Sequence, residues 1–389
     1  MSGECKAIKV DPKRVLTSKE EKRLKAEKNK KKKEAIRLKA EKEAMRLKAN
    51  EDAKLLEDEK VEYNKKVQIM VELMNNNNNC FAKQIKDSDP GTYHILINST
   101  ARTCVTYGIS TLATLYIARL GKGSNGTVYS VEYNIFRFAL KITDTYSGKK
   151  EAEIMRKVEN GKGPNKQYVI RLLDEPFEYE GFVCLPIELC KCDLYARLRN
   201  PISKDEAKIL LKQSLLAVSA LRYHGIMHRD IKLENLFLDF NGNIKIGDFG
   251  LSAVDIGPGK RLHVCSRWYR PPECLKGSDN YGINIDVWSL GCVAFEIANN
   301  VNYGGGDILF PGNATPMSGE QYTLYGSNGM MTLIDNFHAN VNKSKTNTLQ
   351  LFKDVFGEDF GNHLLNFLSI EPLERDFAFN ALMKLIQMA

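Results

Sequence analysis

His228-Arg229-Asp230-Ile231-Lys232-Leu233-Glu234-Asn235, with Asp248-Phe249-Gly250 downstream, is the stretch on which the reading of this chain turns. The first segment sets a carboxylate, a lysine and an asparagine amide at fixed spacing. The second puts another carboxylate on a turn just after the alternating stretch Asn243-Ile244-Lys245-Ile246-Gly247. Transfer of a phosphoryl group from ATP asks for such parts. It needs a base for the incoming hydroxyl, charge compensation on the phosphate, and hard oxygen ligands for magnesium.

Working upstream, Leu120-Gly121-Lys122-Gly123-Ser124-Asn125-Gly126-Thr127-Val128 spells Gly-x-Gly-x-x-Gly-x-Val. Glycines there let a backbone approach phosphates, and flanking strands make a hairpin lid. A dinucleotide-binding turn has the same spacing but should open a helix. Thr127-Val128-Tyr129-Ser130-Val131 instead continues as a strand. Next comes Phe138-Ala139-Leu140-Lys141-Ile142, where a lysine on a buried strand is costly unless paired. Its partner is expected on the following helix: Glu151, which has apolar residues three and four positions on, or else Glu153.

In these motifs and their order the chain resembles the eukaryotic protein kinase superfamily, over about the last seven-tenths of its length. The resemblance implies an α+β fold of two lobes: a β-rich N-lobe over residues 113–188 and a helical C-lobe over 189–389. It implies ATP and magnesium as cofactors and protein hydroxyls as acceptors. By the same resemblance Asp230 orients the hydroxyl and takes its proton, and Lys232 steadies the phosphoryl group. Asn235 and Asp248 hold magnesium. Leu120, Gly121, Lys122, Gly123, Ser124, Asn125, Gly126, Thr127 and Val128 cover the ATP, and Lys141 with Glu151 holds its phosphates. Val183-Cys184-Leu185-Pro186-Ile187-Glu188-Leu189-Cys190 resembles the fifth strand and hinge, so backbone groups of Glu188 to Cys190 meet the adenine. Asn125 stands where the family usually has an aromatic residue, which loosens phosphate cover.

Lys232, and Ser266 seven residues before Glu273, indicate the serine/threonine class. Ser266-Arg267-Trp268-Tyr269-Arg270-Pro271-Pro272-Glu273 resembles the group of cyclin-dependent, mitogen-activated and Clk-type kinases, as does Leu309-Phe310-Pro311-Gly312. Arg270 suggests proline-directed specificity. Asp286 resembles the aspartate that braces the catalytic loop, and Arg375 the arginine that pairs with Glu273. Between Leu251 and Ser266 there is no threonine or tyrosine, and Lys260-Arg261 stand where relatives carry an activating phosphothreonine. Two expectations stand side by side, activity independent of phosphorylation at that site and a loop ordered by another acidic group such as one on a partner; a cyclin-type partner is not expected.

Composition bounds the rest. Residues Met1 to Lys66 hold 22 Lys/Arg against 14 Asp/Glu, whereas the remainder is balanced at 34 of each, so the net charge of +8 belongs to the tail. Residues 1–74 read as a charged helical tail, because from about Ser18 to Met74 the chain lacks Gly and Pro. Residues 75–112 read as a linker opening on the run Asn75 to Asn79. The tail reads first as a solvated, salt-bridged helix. The block Lys28 to Lys33 offers nucleic acid a basic surface, but no aromatic residues interleave with it. The nine cysteines show no staple spacing and read as free thiols in a reducing compartment. No apolar run approaches the length of a membrane helix, and the Lys-rich start does not read as a signal peptide. Two rivals stand beside the enzyme: a pseudokinase scaffold, and a tether whose main function lies in the tail.

Overall fold

The computed structural model describes residues 115–388 apart from 124–125, 134–135, 180, 255–263, 305–306 and 312–319, together with six isolated tail residues. The chain divides into two compact units, Met1–Ile69 and Met70–Ala389. In the first unit the described residues Glu43, Glu57, Val61, Asn64, Lys65 and Gln68 are helical and exposed. The proposed linker of residues 75–112 lies outside the described residues, as do Lys260 and Arg261.

The second unit opens with strands β1 (Leu115–Gly123), β2 (Gly126–Tyr133) and β3 (Phe136–Asp144). Helix α1 (Thr145–Asn160) follows, then β4 (Phe177–Tyr179) and β5 (Phe182–Ile187). The five strands form one antiparallel sheet in the order β1-β2-β3-β5-β4. Lys141 lies opposite Val128 on one side and Leu185 on the other, which places it mid-sheet.

Local chemistry fixes α1. Asp144 caps it by accepting from the Ser147 N–H at 2.9 Å, satisfying one of the orphan donors of the first turn. Its buried face runs through Gly148, Glu151, Ala152, Met155 and Val158, a helical spacing. Gly148 is needed because a Cβ there would come within 2.6 Å of Val183 on β5. The helix therefore sits tight on the sheet and aims Glu151 inward.

Beyond the sheet the chain is mostly helical. Short elements β6 (Cys192–Asp193) and α2 (Leu194–Arg197) lead to α3 (Lys204–Tyr223), capped by Ser203. Strands β7 (Ile226–Met227), β8 (Leu236–Leu238), β9 (Ile244–Ile246) and β10 (Ala253–Val254) then frame the two signature segments. Helices α4 (Pro272–Leu275), α5 (Asn284–Tyr303), α6 (Glu320–His338), α7 (Ser344–Phe356), α8 (Glu358–Asn366) and α9 (Pro372–Met388) complete the unit. The core centres on α5, where Ile285, Val287, Trp288, Leu290, Val293 and Ile297 are fully buried. Trp288 stacks on Phe310 with ring centroids 5.6 Å apart. The six described cysteines are free thiols. Among the described residues no helix is long and apolar enough to cross a membrane.

Glu296 of α5 is 3% exposed, and burial pushes its carboxyl up to about 8, with the Tyr269 hydroxyl pulling the other way and Glu234 adding to the rise. A carboxyl whose folded pKa exceeds its unfolded value binds its proton more tightly in the fold. Its stabilisation is complete below the ordinary carboxylate range and is lost as pH rises through about 8. Glu296→Gln removes that titration. Thermal midpoints measured from pH 5 to 9 should show the variant gaining on wild type as pH rises; parallel profiles would contradict the assignment.

Candidate active site

A cleft of about 640 Å³ runs between the sheet and the β6–β9 region, within the usual range for small-molecule sites. Its roof is the β1–β2 hairpin: Leu120, Gly121, Lys122, Gly123, Gly126 and Val128 line it. Lys141 and Glu151 form the back, and Glu188 and Cys190 the edge. Asp230, Lys232, Asn235 and Asp248 form the floor. Ser124 and Asn125 lie outside the described residues. Thr127 is not among the residues lining the cleft: successive strand residues face opposite sides, and Gly126 and Val128 take the inner one. Gly126, at φ +120°, must be glycine, since a Cβ would stand 2.4 Å from the Ile142 carbonyl oxygen. At Gly121 and Gly123 a Cβ would meet nothing within 4 Å, so these two leave open space.

Lys141 is the centre of the back wall. Its Nζ lies 2.8 Å from Glu151 Oε2 and 2.7 Å from Asp248 Oδ1. Burial opposes the ammonium, but the two carboxylates outweigh burial and hold its pKa above the ordinary lysine value. Glu151 Oε1 also accepts from the Phe249 N–H at 3.2 Å, joining α1 to the Asp-Phe-Gly turn. Glu153 is exposed, so helical phase separates the two candidate glutamates. Asp248 itself sits at φ +62°, a left-handed conformation that aspartate tolerates better than most residues.

On the floor, both carboxylate oxygens of Asp230 are engaged. Its Oδ1 accepts from the Ser266 N–H at 2.9 Å and the Ser266 hydroxyl at 2.7 Å. Its Oδ2 lies 3.1 Å from Lys232 Nζ and accepts from the Asn235 amide at 3.1 Å. Asn235 Nδ2 also donates to the Asp230 carbonyl at 2.8 Å. With that nitrogen committed, Asn235 has its amide oxygen to offer a cation.

The loop is braced from below by Asp286, 1% exposed, whose two oxygens accept from the His228 and Arg229 N–H groups at 2.6 Å and 2.8 Å. Arg229, at φ +64°, depends on that brace. Its side chain is buried, donating to the Leu251 carbonyl at 2.7 Å and the Tyr281 hydroxyl at 3.2 Å. Neutral acceptors of the fold thus solvate this cation.

Motif reading did not find Ile170 and Phe237, which help complete the apolar walls, nor Lys245, whose side chain engages Glu188. Apolar positions in short strands carry no signal that separates a cleft wall from a core.

Known proteins resemble this chain over the same region. The family described as Protein kinase domain matches residues 115–314. Cyclin-dependent kinase 20 of Danio rerio is 33% identical over 216 residues, covering 50% of this chain and 58% of the relative. A probable cell division protein kinase of Encephalitozoon cuniculi is 33% identical over 187 residues, covering 46% of this chain and 60% of the relative. The chain thus spans somewhat over half the length of these curated relatives. The structure of the CAK complex from Chaetomium thermophilum bound to ATP-γ-S superimposes with a TM-score of 0.53 at 23% identity, covering 68% of this chain and 89% of that one. That likeness bears on the fold, which is the two-lobed arrangement described above. With the family match extending over half its length, the chain belongs to the protein kinase domain family.

Proposed function

We propose that this chain is a serine/threonine protein kinase that transfers the γ-phosphoryl group of ATP to protein hydroxyls with magnesium, within a domain of residues 113–389. The observation that carries the reading is the contact of Lys141 with both Glu151 and Asp248 in the cleft whose floor holds Asp230. Asn235 and Asp248 offer two hard oxygen donors. Among the described residues no three or more His, Cys, Asp or Glu cluster as a metal site. Two donors suit magnesium, which usually completes its shell with phosphate and water. Magnesium–ATP would supply the activated phosphoryl group and most of the charge neutralisation.

The chain's own residues do the positioning. Lys141 holds phosphate oxygens, and the open space at Gly121 and Gly123 admits them under the hairpin. Asp230 orients the acceptor hydroxyl and accepts its proton. Lys232, between Asp230 and Ser266, compensates charge as the phosphoryl group moves.

Two finer points follow from the activation segment. Arg270 Nε donates to the Val264 carbonyl at 2.9 Å, and its Nη2 to the Cys265 carbonyl at 2.8 Å. Cys265 stands at φ +62°. Its carbonyl is already engaged, so a substrate residue without an N–H loses little beside it, which supports proline after the acceptor. The burial of Arg229 against neutral acceptors supports activity without a phosphate on this segment. An intracellular setting agrees with the free thiols. Every chemical residue of the motifs is present, which leaves the scaffold reading without an observation in its favour.

The test is transfer of labelled phosphate from ATP with magnesium to a generic protein substrate, comparing wild type with Asp248→Asn. Transfer by wild type that vanishes in the variant is the expected result. Nucleotide binding without transfer by either protein would overturn the enzyme reading.

A further inference from the structure

Lys245 sits at the middle of β9 with 6% exposure, and its ammonium reaches both carboxylate oxygens of Glu188, at 2.9 Å and 3.0 Å. An ammonium so deep in a strand is costly without a partner. Glu188 follows β5 directly and lines the cleft edge. Its N–H donates to the Arg171 carbonyl at 3.0 Å, and Arg171 Nε stands 3.7 Å from the same carboxylate. Three residues after Lys245 the chain reaches Asp248, which binds Lys141. One strand and its turn therefore grip the nucleotide cleft at two points, the hinge and β3. The phosphoryl-transfer chemistry above makes no use of the first grip.

We propose that Lys245 is a positioning residue for the nucleotide. By clamping Glu188 it fixes the register in which the hinge offers the Glu188 carbonyl and the Cys190 N–H to a purine edge, and so sets the preference for adenine over guanine. This rests on the kinase reading. Adenine presents an amino donor beside a ring-nitrogen acceptor, whereas guanine presents a carbonyl acceptor beside an N–H donor. A hinge held in one register complements only the first. A hinge free to slide by one residue can offer its N–H to the guanine carbonyl instead. Without Lys245, Glu188 would keep among the described residues only the ion pair with Arg171, whose side chain is 57% exposed and more distant; a pair of that kind holds little.

The experiment measures ATP and GTP affinities by competition against a fluorescent ATP analogue, with no acceptor present. The full-length proteins are wild type, Lys245→Met, Lys245→Arg and Glu188→Gln, each with its thermal midpoint. Lys245→Met should weaken ATP about tenfold, the worth of roughly one hydrogen bond, while leaving GTP nearly unchanged. The ATP-to-GTP ratio then contracts by the same factor. Lys245→Arg should restore most of the ratio, and Glu188→Gln should contract it in the same direction. Should Lys245→Met fail to fold, Glu188→Gln carries the test. Equal weakening of both nucleotides, or an unmoved ratio in folded variants, overturns the clamp and leaves Lys245 a stabilising residue alone. Wild type that binds neither nucleotide would sink the kinase reading itself, a result distinct from an unmoved ratio.

Discussion

Asp230→Asn should lower kcat for phosphate transfer by about 10²- to 10⁴-fold, the range a positioned general base contributes, while the KM for ATP changes by no more than about threefold. The substitution keeps the shape of the side chain and an oxygen for the Ser266 N–H and hydroxyl, which now approach at 2.9 Å and 2.7 Å. It removes the negative charge and the capacity to take a proton. Lys232, 3.1 Å away, loses its carboxylate partner and with it part of its fixed position. On the proposed reading ATP would be held elsewhere, by the hairpin, the hinge and Lys141, so ground-state binding has no reason to collapse. Steady-state kinetics with ATP varied, beside a direct nucleotide-binding measurement, separates the two. A kcat within threefold of wild type would remove Asp230 from the chemistry. A matched loss of nucleotide binding would make it a structural residue.

Arg375→Ala should destabilise the fold by about 3–5 kcal/mol, the cost of breaking a buried ion pair from one side. Arg375 is 0% exposed, and its Nη2 lies 2.7 Å from Glu273 Oε1. Its Nη1 donates to the Asn284 carbonyl at 3.2 Å, and its guanidinium lies 5.7 Å from the centre of the Trp288 ring. Truncation therefore strands the Glu273 carboxylate, opens a cavity beside the largest core side chain, and frees the start of α5. Urea unfolding followed by tryptophan fluorescence gives the size. The double variant Arg375→Met/Glu273→Gln should recover part of the loss, because no unpaired charge remains to be buried. A loss below about 1 kcal/mol would place the pair with exposed salt bridges, which are worth little.

These two residues mark the extremes of what sequence carries. Asp230, Lys232 and Asn235 fall within six consecutive positions, and one loop conformation brings them together whatever surrounds it. Their contacts at 3.1 Å and 2.8 Å follow from that closeness, so spacing alone was informative. The same holds for the glycines of the β1–β2 hairpin, although the two-residue period of the strand puts Thr127 on the face opposite Gly126 and Val128. Arg375 and Glu273 were legible only through resemblance, since 102 positions separate them.

The choice between Glu151 and Glu153 shows where local pattern runs out. A helix repeats every 3.6 residues, so two glutamates two positions apart point in different directions; the apolar residues three and four positions on favour Glu151, but a pattern this short leaves Glu153 open. The close approach of α1 to β5 at Gly148 and Val183 decides it, burying Glu151 to 3% exposure and leaving Glu153 in solvent. The grip of Lys245 on Glu188 is of the same kind, a contact between β9 and the end of β5 across 57 positions.

What the sequence determined by itself is the set of reactive groups and the order of the elements that carry them, because local spacing and strand or helix periodicity are properties of neighbouring residues. What only the tertiary structure decided is which other charges and acceptors meet: Lys141 with Asp248, Glu188 with Lys245, Arg229 with the Leu251 carbonyl and the Tyr281 hydroxyl. A buried charge has to be matched by whatever group the packing of distant segments brings within about 3 Å, and that match is made in space rather than along the chain.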